Sequence, residues 1–230
     1  MDILIQKEVL RDKIGEVLKG WILDGTLKPG ERIVELTLAR KLDVSRAPLR
    51  EALWLLERQG LVHIRAHHGA QVTQLSEQDI REIFEIRETL ETRAALKIHA
   101  RRDVHVAALL NGALTELEAA CRQRDIRAFS AADLKFHKTL WELAGNRHLQ
   151  EILNDLSTRF FGYELIRDLP QAGKFRFDLM ADEHRTMVKL ILDGTEKEIE
   201  AGFRKAFAGF LDYVLARFSD APTAPRRAAE

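Results

Sequence analysis

Val44-Ser45-Arg46-Ala47-Pro48-Leu49-Arg50-Glu51-Ala52-Leu53, continuing through Trp54-Leu55-Leu56-Glu57-Arg58-Gln59 to Gly60, is the stretch on which the fold turns. Ser45 suits an N-cap, because its hydroxyl can accept from an orphan N–H of the first turn. Pro48 sits in that first turn, where its missing N–H costs little. Leu49, Ala52, Leu53 and Leu56 recur at three- and four-residue spacing and form one apolar stripe. Gly60 is a helix stop. The segment predicts a helix over residues 45–59. Arg46 and Arg50, four apart, share the face opposite the leucines.

On the N-terminal side, Leu10, Ile14, Val17, Leu18 and Trp21 keep helical spacing and predict a first helix. Asp24-Gly25-Thr26-Leu27-Lys28-Pro29-Gly30 then breaks the chain. A second helix fits Glu35 to Leu42, and Asp43-Val44-Ser45 makes a tight connection. On the C-terminal side the period changes to two. Leu61 to Arg65 and Ala70 to Thr73 predict short strands around His67-His68-Gly69. Three short helices and a hairpin are the layout of a winged helix-turn-helix. Its third helix would enter a major groove by its N-terminal residues, Ser45, Arg46, Ala47 and Arg50. Each guanidinium suits a guanine edge or a phosphate. Gly69 would allow the tight turn of the wing tip. Solvated arginines on a small structural domain are the alternative reading of the same spacing.

The chain has 230 residues, 46% apolar and 31% charged, with zero formal net charge. That is ordinary globular composition and argues against a generally basic nucleic-acid coat, not against a local DNA-reading face. The single cysteine, Cys121, excludes an internal disulfide and reads as a small core residue. The first residues are too short and too charged for a signal peptide, and no apolar run nears membrane-spanning length. The expectation is a cytoplasmic protein with no membrane partner.

From Ser76 to Phe218 helical periodicity returns. Stripes such as Ile80/Ile83/Ile86/Leu90/Ala94 and Leu149/Ile152/Leu153/Leu156/Phe160 predict about six helices in a bundle. The expected fold is therefore mainly α: a winged helix-turn-helix over residues 1–75, an all-α helical bundle over 76–218, and a disordered tail over 219–230. Inside the bundle, Asp133 and His137 stand at i and i+4 on the face carrying Phe129, Phe136 and Leu140. His184 lies on the stripe of Met180, Met187, Val188 and Ile191. A carboxylate and two imidazoles converging there would suit a divalent metal, zinc or similar. Hydrogen-bonded core histidines are the alternative. Arg87 near the inward face suits an effector carboxylate, or a salt bridge to Glu91 at i+4. A metal-binding bundle enzyme is the competing function, but Glu-x-x-His, His-Glu-x-x-His and Gly-x-Ser-x-Gly motifs are all missing, so no enzyme is expected.

Asp24-Gly25-Thr26-Leu27-Lys28-Pro29-Gly30-Glu31, Leu38-Ala39, the run Val44 to Leu53, Leu56-Glu57 and Gly60-Leu61-Val62 resemble the GntR family of bacterial regulators, in the family's order and spacing. The resemblance implies a homodimer on a palindromic operator in double-stranded DNA. It places DNA contacts on Ser45, Arg46, Ala47, Arg50, His68 and Gly69. One position departs: where the family's fatty-acid-responsive branch has a DNA-contacting arginine on the second helix, this chain has Leu36.

Arg87-Glu88-Thr89-Leu90-Glu91, Asp133 to His137 with Ala144-Gly145-Asn146 and Leu149, and Glu183-His184-Arg185 with Asp193-Gly194 resemble the FCD effector domain of the FadR-like branch. That resemblance implies a metal held by one Asp and three His beside a small organic acid. Asp133, His137 and His184 match three ligand positions. Ala206 stands at the fourth, on the last helix, and offers no ligand. Three outcomes stay open: a metal with water or effector oxygen in the gap, a weak site, or a domain that works without metal.

Overall fold

The computed structural model describes the backbone of residues 2–65 and 69–217, and the side chains of 10–65, 69–169 and 173–217. The N-terminal part runs α1 (Asp2–Leu23), β1 (Arg32–Ile33), α2 (Glu35–Leu42), α3 (Arg46–Arg58), β2 (Val62–Arg65) and β3 (Gly69–Val72). Six helices follow: α4 (Glu77–Ala100), α5 (Val104–Gln123), α6 (Ile126–Leu143), α7 (Arg147–Asp168), α8 (Phe177–Asp193) and α9 (Glu196–Ala216). A 3₁₀ turn, Leu169–Lys174, joins α7 to α8. Winged helix-turn-helix and helical bundle are both present, as the sequence predicts.

The stripe Leu49, Ala52, Leu53 and Leu56 is fully buried and packs α3 against α1. Each buried leucine contributes roughly 1.5–3 kcal/mol of burial free energy. Ser45 is the N-cap of α3 in extended conformation, without a side-chain cap bond. Gly60 follows the helix at φ 71°, a left-handed conformation that favours glycine. On α1 the buried run is Ile14, Leu18, Ile22 and Leu23, while Leu10 and Val17 are exposed. A four-residue repeat from Ile14 meets α3, and Val17 falls beside it.

The sheet has the order β1-β3-β2, all antiparallel. Val62 faces Val72 and Ile64 faces Ala70 across the hairpin; His63 faces Gln71 on the other side of the sheet. Val62, Ala70, Val72 and Ile33 are buried in the N-terminal core. The strands begin and end one residue earlier or later than their apolar pattern suggests, and β1 is additional. Two residues carry no period, so β1 has no signature in sequence. His67 and His68 of the expected wing tip, and the whole of the expected tail at 219–230, lie outside the described residues.

In the bundle, α4 opens with a capping box: Ser76 Oγ accepts from the Asp79 N–H, and the Asp79 carboxylate accepts from the Ser76 N–H. Its inward run is Ile80, Ile83, Phe84, Arg87, Glu91 and Ala94. Ile86 is exposed, contrary to the expected stripe, because the helix turns Arg87 and Glu91 inward instead. Ile152 on α7 is likewise exposed, while Leu149, Leu153, Ser157 and Phe160 line the buried side. Cys121 is buried, as a core residue should be.

Helix α7 touches both parts. Ile166 belongs to the N-terminal core, while Leu153, Phe160 and Phe161 belong to the bundle core. Gly162 of α7 lies against Gly60: a Cβ at 162 would stand 2.5 Å from the Gly60 carbonyl carbon and oxygen. Only glycines permit two backbones to meet this closely.

Candidate nucleic-acid interface and ligand site

A groove of about 590 Å³ runs between α3 and the wing, bordered by Arg32, Val34, Glu35, Leu36, Arg46, Arg50, Trp54, Arg65 and Gly69 among others. Ser45, Arg46, Ala47 and Arg50 are all exposed along α3 and its cap. Arg46 and Arg50 converge on one acceptor. Arg50 Nε donates to Glu35 Oε2 at 2.7 Å, and Arg46 donates to the same oxygen at 3.2 Å. Glu35 is the first residue of α2, so the carboxylate crosses the turn of the helix-turn-helix. Asp43 makes that turn at φ 51°. Gly69 starts β3 at φ 80°, which only glycine adopts freely, and carries the hairpin back from the wing tip. Leu36 is exposed at the edge of the same groove, with Val34 and Trp54. The geometry thus gathers Arg46, Arg50 and Gly69 around one concave face, while Ser45 and Ala47 are exposed at the start of α3 but do not line the groove. Sequence reasoning missed Glu35, whose acidity on a helix start looks like ordinary dipole compensation.

A second constellation is buried in the bundle. Asp133, His137 and His184 place one ligand atom each within 4.8 Å of one another. His184 Nε2 lies 2.8 Å from Asp133 Oδ1, and His137 Nε2 lies 3.6 Å from it. Both imidazoles are tied from behind. His184 Nδ1 contacts the Met180 carbonyl oxygen at 2.7 Å, and His137 Nδ1 contacts Glu91 Oε2 at 2.8 Å. A carbonyl only accepts, so the proton on His184 Nδ1 points to Met180 and its Nε2 faces Asp133. This is how metal-binding histidines are oriented, by a carboxylate or carbonyl on the far nitrogen.

The donor set fits a divalent cation. Asp133 Oδ1 and His184 Nε2 are buried and close, yet neither has an aligned hydrogen-bond partner. Two ligand atoms in such contact without hydrogen-bond geometry are what a shared cation satisfies. Burial pushes the Asp133 carboxyl up, but His184 and His137 outweigh it, and the net shift is downward. Burial pushes His184 down, but Asp133 outweighs it, and the net shift is upward.

Arg87 shares this site. It is 2% exposed and donates through Nε to Glu91 Oε1 at 2.8 Å. Its guanidinium carbon lies 5.1–5.7 Å from the ring centres of Phe84, Phe160, Phe161 and Phe207. Nη1 has no hydrogen-bond partner. Burial would raise the Glu91 carboxyl, but Arg87 and His137 hold it at about 2. Glu91 therefore links the Arg87 guanidinium to His137, a link the sequence does not announce. Arg87, Asp133, His137 and His184 border a void of about 30 Å³, with Met180, Glu183, Met187, Ala206, Phe207 and Phe210. Ala206 faces the void and supplies no donor. His148 is exposed on α7 and pairs with Glu151.

A helix-turn-helix with a small sheet, an arginine groove between them and a helical bundle behind define a DNA-binding protein with a sensor-like domain. Comparison places it. Residues 10–72 match the bacterial regulatory protein gntR family, and residues 82–208 match the FCD domain. The chain belongs to the GntR family of transcriptional regulators, with an FCD domain after its winged helix-turn-helix. It is 33% identical over 194 residues to the uncharacterized HTH-type transcriptional regulator YdhC of Bacillus subtilis, covering 84% of each chain. It is 30% identical over 191 residues to a probable D-xylose utilization operon transcriptional repressor of Paenarthrobacter nicotinovorans, covering 83% of this chain and 82% of that one. E. coli McbR/YncC has the same fold at 19% identity and a TM-score of 0.65, over 91% of this chain and 98% of that one. The two sequence relatives are named as a transcriptional regulator and a probable repressor, so the competing reading as an enzyme is set aside. Among the described residues no helix is long and apolar enough to cross a membrane.

Proposed function

We propose that this regulator binds a two-fold operator as a homodimer and releases or engages it in response to a small carboxylate held in the bundle. The DNA-reading residues are Ser45, Arg46, Ala47, Arg50 and Gly69, with His68 in the wing. Residues 1–75 form the reader and 76–218 the sensor, and the protein works in the cytoplasm.

One observation carries the sensor reading: Arg87 Nη1, buried and unpartnered, borders the same void as Asp133, His137 and His184. A buried donor left unpaired costs about 1–3 kcal/mol, which an entering carboxylate oxygen recovers. Asp133, His137 and His184 would hold a divalent metal, which supplies a positive centre for the second carboxylate oxygen. Ala206 lines the same void and offers no ligand atom, so an acid entering there would have room to reach the metal. The void's small size favours a small acid, and a larger one requires α9 to shift, because α9 contributes Ala206, Phe207 and Phe210.

Coupling runs through α7. Phe160 and Phe161 pack on Arg87, and Gly162 and Ile166 hold the reader. An acid that draws Arg87 changes the packing of this helix and so the placement of the reader. Linkage then requires that operator DNA alter acid affinity by the same factor. The test is fluorescence anisotropy on DNA upstream of the protein's own gene, titrated with acids from acetate to citrate. At least one acid should shift the midpoint, and Arg87→Met should abolish the shift while leaving DNA binding intact. A response that persists in Arg87→Met would overturn the assignment.

A further inference from the structure

A third cavity, of about 460 Å³, lies at the seam between reader and sensor. The outer face of the sheet supplies His63, Arg65 and Gln71; the connection supplies Thr73 and Gln74; Ser76 and Asp79 come from the start of α4, and Arg159 from α7. Its charge arrangement is unbalanced. A terminal nitrogen of Arg159 donates to the His63 ring at 3.0 Å, so the guanidinium rests on an imidazole and not on a carboxylate. Neither Arg65 nor Arg159 has an ion pair within 4 Å among the described residues; Arg159 meets the Asp79 carboxylate only at longer range. Asp79 is committed to the Ser76 N–H and hydroxyl at 2.8 and 2.5 Å, and Glu57 accepts from the Ile64 N–H at 2.8 Å, standing 3.7 Å from His63. The Thr73 hydroxyl is the second sign. Thr73 is 4% exposed, lines this cleft, and its Oγ1 has no hydrogen-bond partner.

Two guanidiniums without a carboxylate at ion-pair distance, an imidazole against one of them and an orphan hydroxyl lack one thing, an oxyanion. Guanidinium forks and a hydroxyl match the oxygens of a phosphate, and a doubly charged group offsets both arginines. The cavity exceeds a bare phosphate and lies in the range of small-molecule sites. We propose that the seam cleft is a second ligand site, separate from the bundle void, which takes a small phosphomonoester between Arg65 of the reader and Arg159 of the sensor. Occupancy ties the two parts together, because its ligands come from both.

Calorimetric titration of the full-length protein with inorganic phosphate, ribose 5-phosphate and ribose, at matched ionic strength, tests this. Both phosphates should bind saturably and ribose should not. Arg159→Gln, at an exposed position, should weaken binding at least tenfold. Thr73→Val removes the orphan hydroxyl without loss of packing and should weaken it several-fold, whereas Arg46→Ala on the DNA face should not change it. Absence of saturable phosphate binding, or binding unchanged in Arg159→Gln, overturns the site. Should free phosphates fail while Arg159→Gln lowers DNA affinity with a shallower salt dependence, the arginine serves the DNA backbone and the small-molecule site is wrong.

Discussion

Glu35 holds Arg50 across the turn of the helix-turn-helix, Oε2 accepting from Nε at 2.7 Å, and Arg46 shares that oxygen. Exposed pairs of this kind add little stability. Their consequence is positional: two long side chains are restrained where they face the groove. Glu35→Gln should loosen both and remove a negative charge, so binding to scrambled DNA should rise a few-fold while discrimination for the operator falls. Arg46→Ala or Arg50→Ala should cost about 1–3 kcal/mol of specific binding for whichever reads a base. Anisotropy against operator and scrambled duplexes at fixed salt measures both. Equal discrimination in wild type and Glu35→Gln would make the carboxylate a bystander.

The three-donor cluster predicts opposite effects for two substitutions. Asp133→Asn removes one ligand and should weaken zinc binding about 10–100-fold or more, taking the loss of an outer partner as the lower bound. Ala206→His offers an imidazole to the void at the place where a fourth ligand is missing, and should tighten binding. Competition with a chromogenic chelator reads both. If Ala206→His fails to tighten while Asp133→Asn weakens, the open position points away from α9.

What the sequence shows of this protein is what is local. Ser45 to Gly60 reads as one helix because stripe and stop both lie within it, although the Ser45 hydroxyl does not make the cap bond expected of it. Asp133 with His137, and Arg87 with Glu91, are legible as i,i+4 pairs. Glu35 is not, because its partners stand 11 and 15 residues away on another helix. Nor is the bond between Glu91 and His137, which spans 46 residues. Ile86 misled because a hydrophobic pattern cannot show that a buried arginine outranks an isoleucine for the inward face. Gly162 sits unmarked inside a helix, and only its neighbour Gly60 explains it.

The seam should respond to pH through His63. Burial lowers its pKa, and Arg159 and Arg65 lower it further against the opposing pull of Glu57. A histidine with a depressed folded pKa binds fewer protons docked than free. Its contribution is therefore full above the ordinary value of about 6.5 and is lost as pH falls below it. The hydrogen-exchange protection of β2 and the middle of α7, corrected for the base-catalysed intrinsic rate, should fall between pH 7.5 and 5.5. His63→Gln should flatten that change; an undiminished pH response in the variant would place its origin elsewhere.

Gly162→Ala gives the sharpest test of α7 as the link between the two parts. Inside a helix, glycine to alanine ordinarily stabilises by about 0.5–1 kcal/mol. Gly15 on α1 has open space where a Cβ would go, so Gly15→Ala should show that gain. At Gly162 the new Cβ would meet the backbone of Gly60 at 2.5 Å, and backbone cannot rotate away as a side chain can. The sign should reverse, with a loss of about 1–3 kcal/mol, as for overpacked cores. The loss should fall on docking of the reader, so urea unfolding should shift to a lower midpoint. Any acid-dependent change in operator affinity should shrink with it, because Phe160 and Phe161 on the same helix pack on Arg87 while Gly162 holds the reader. A stabilised Gly162→Ala with full acid response would show that the two backbones are free to part, and that the signal does not pass between them.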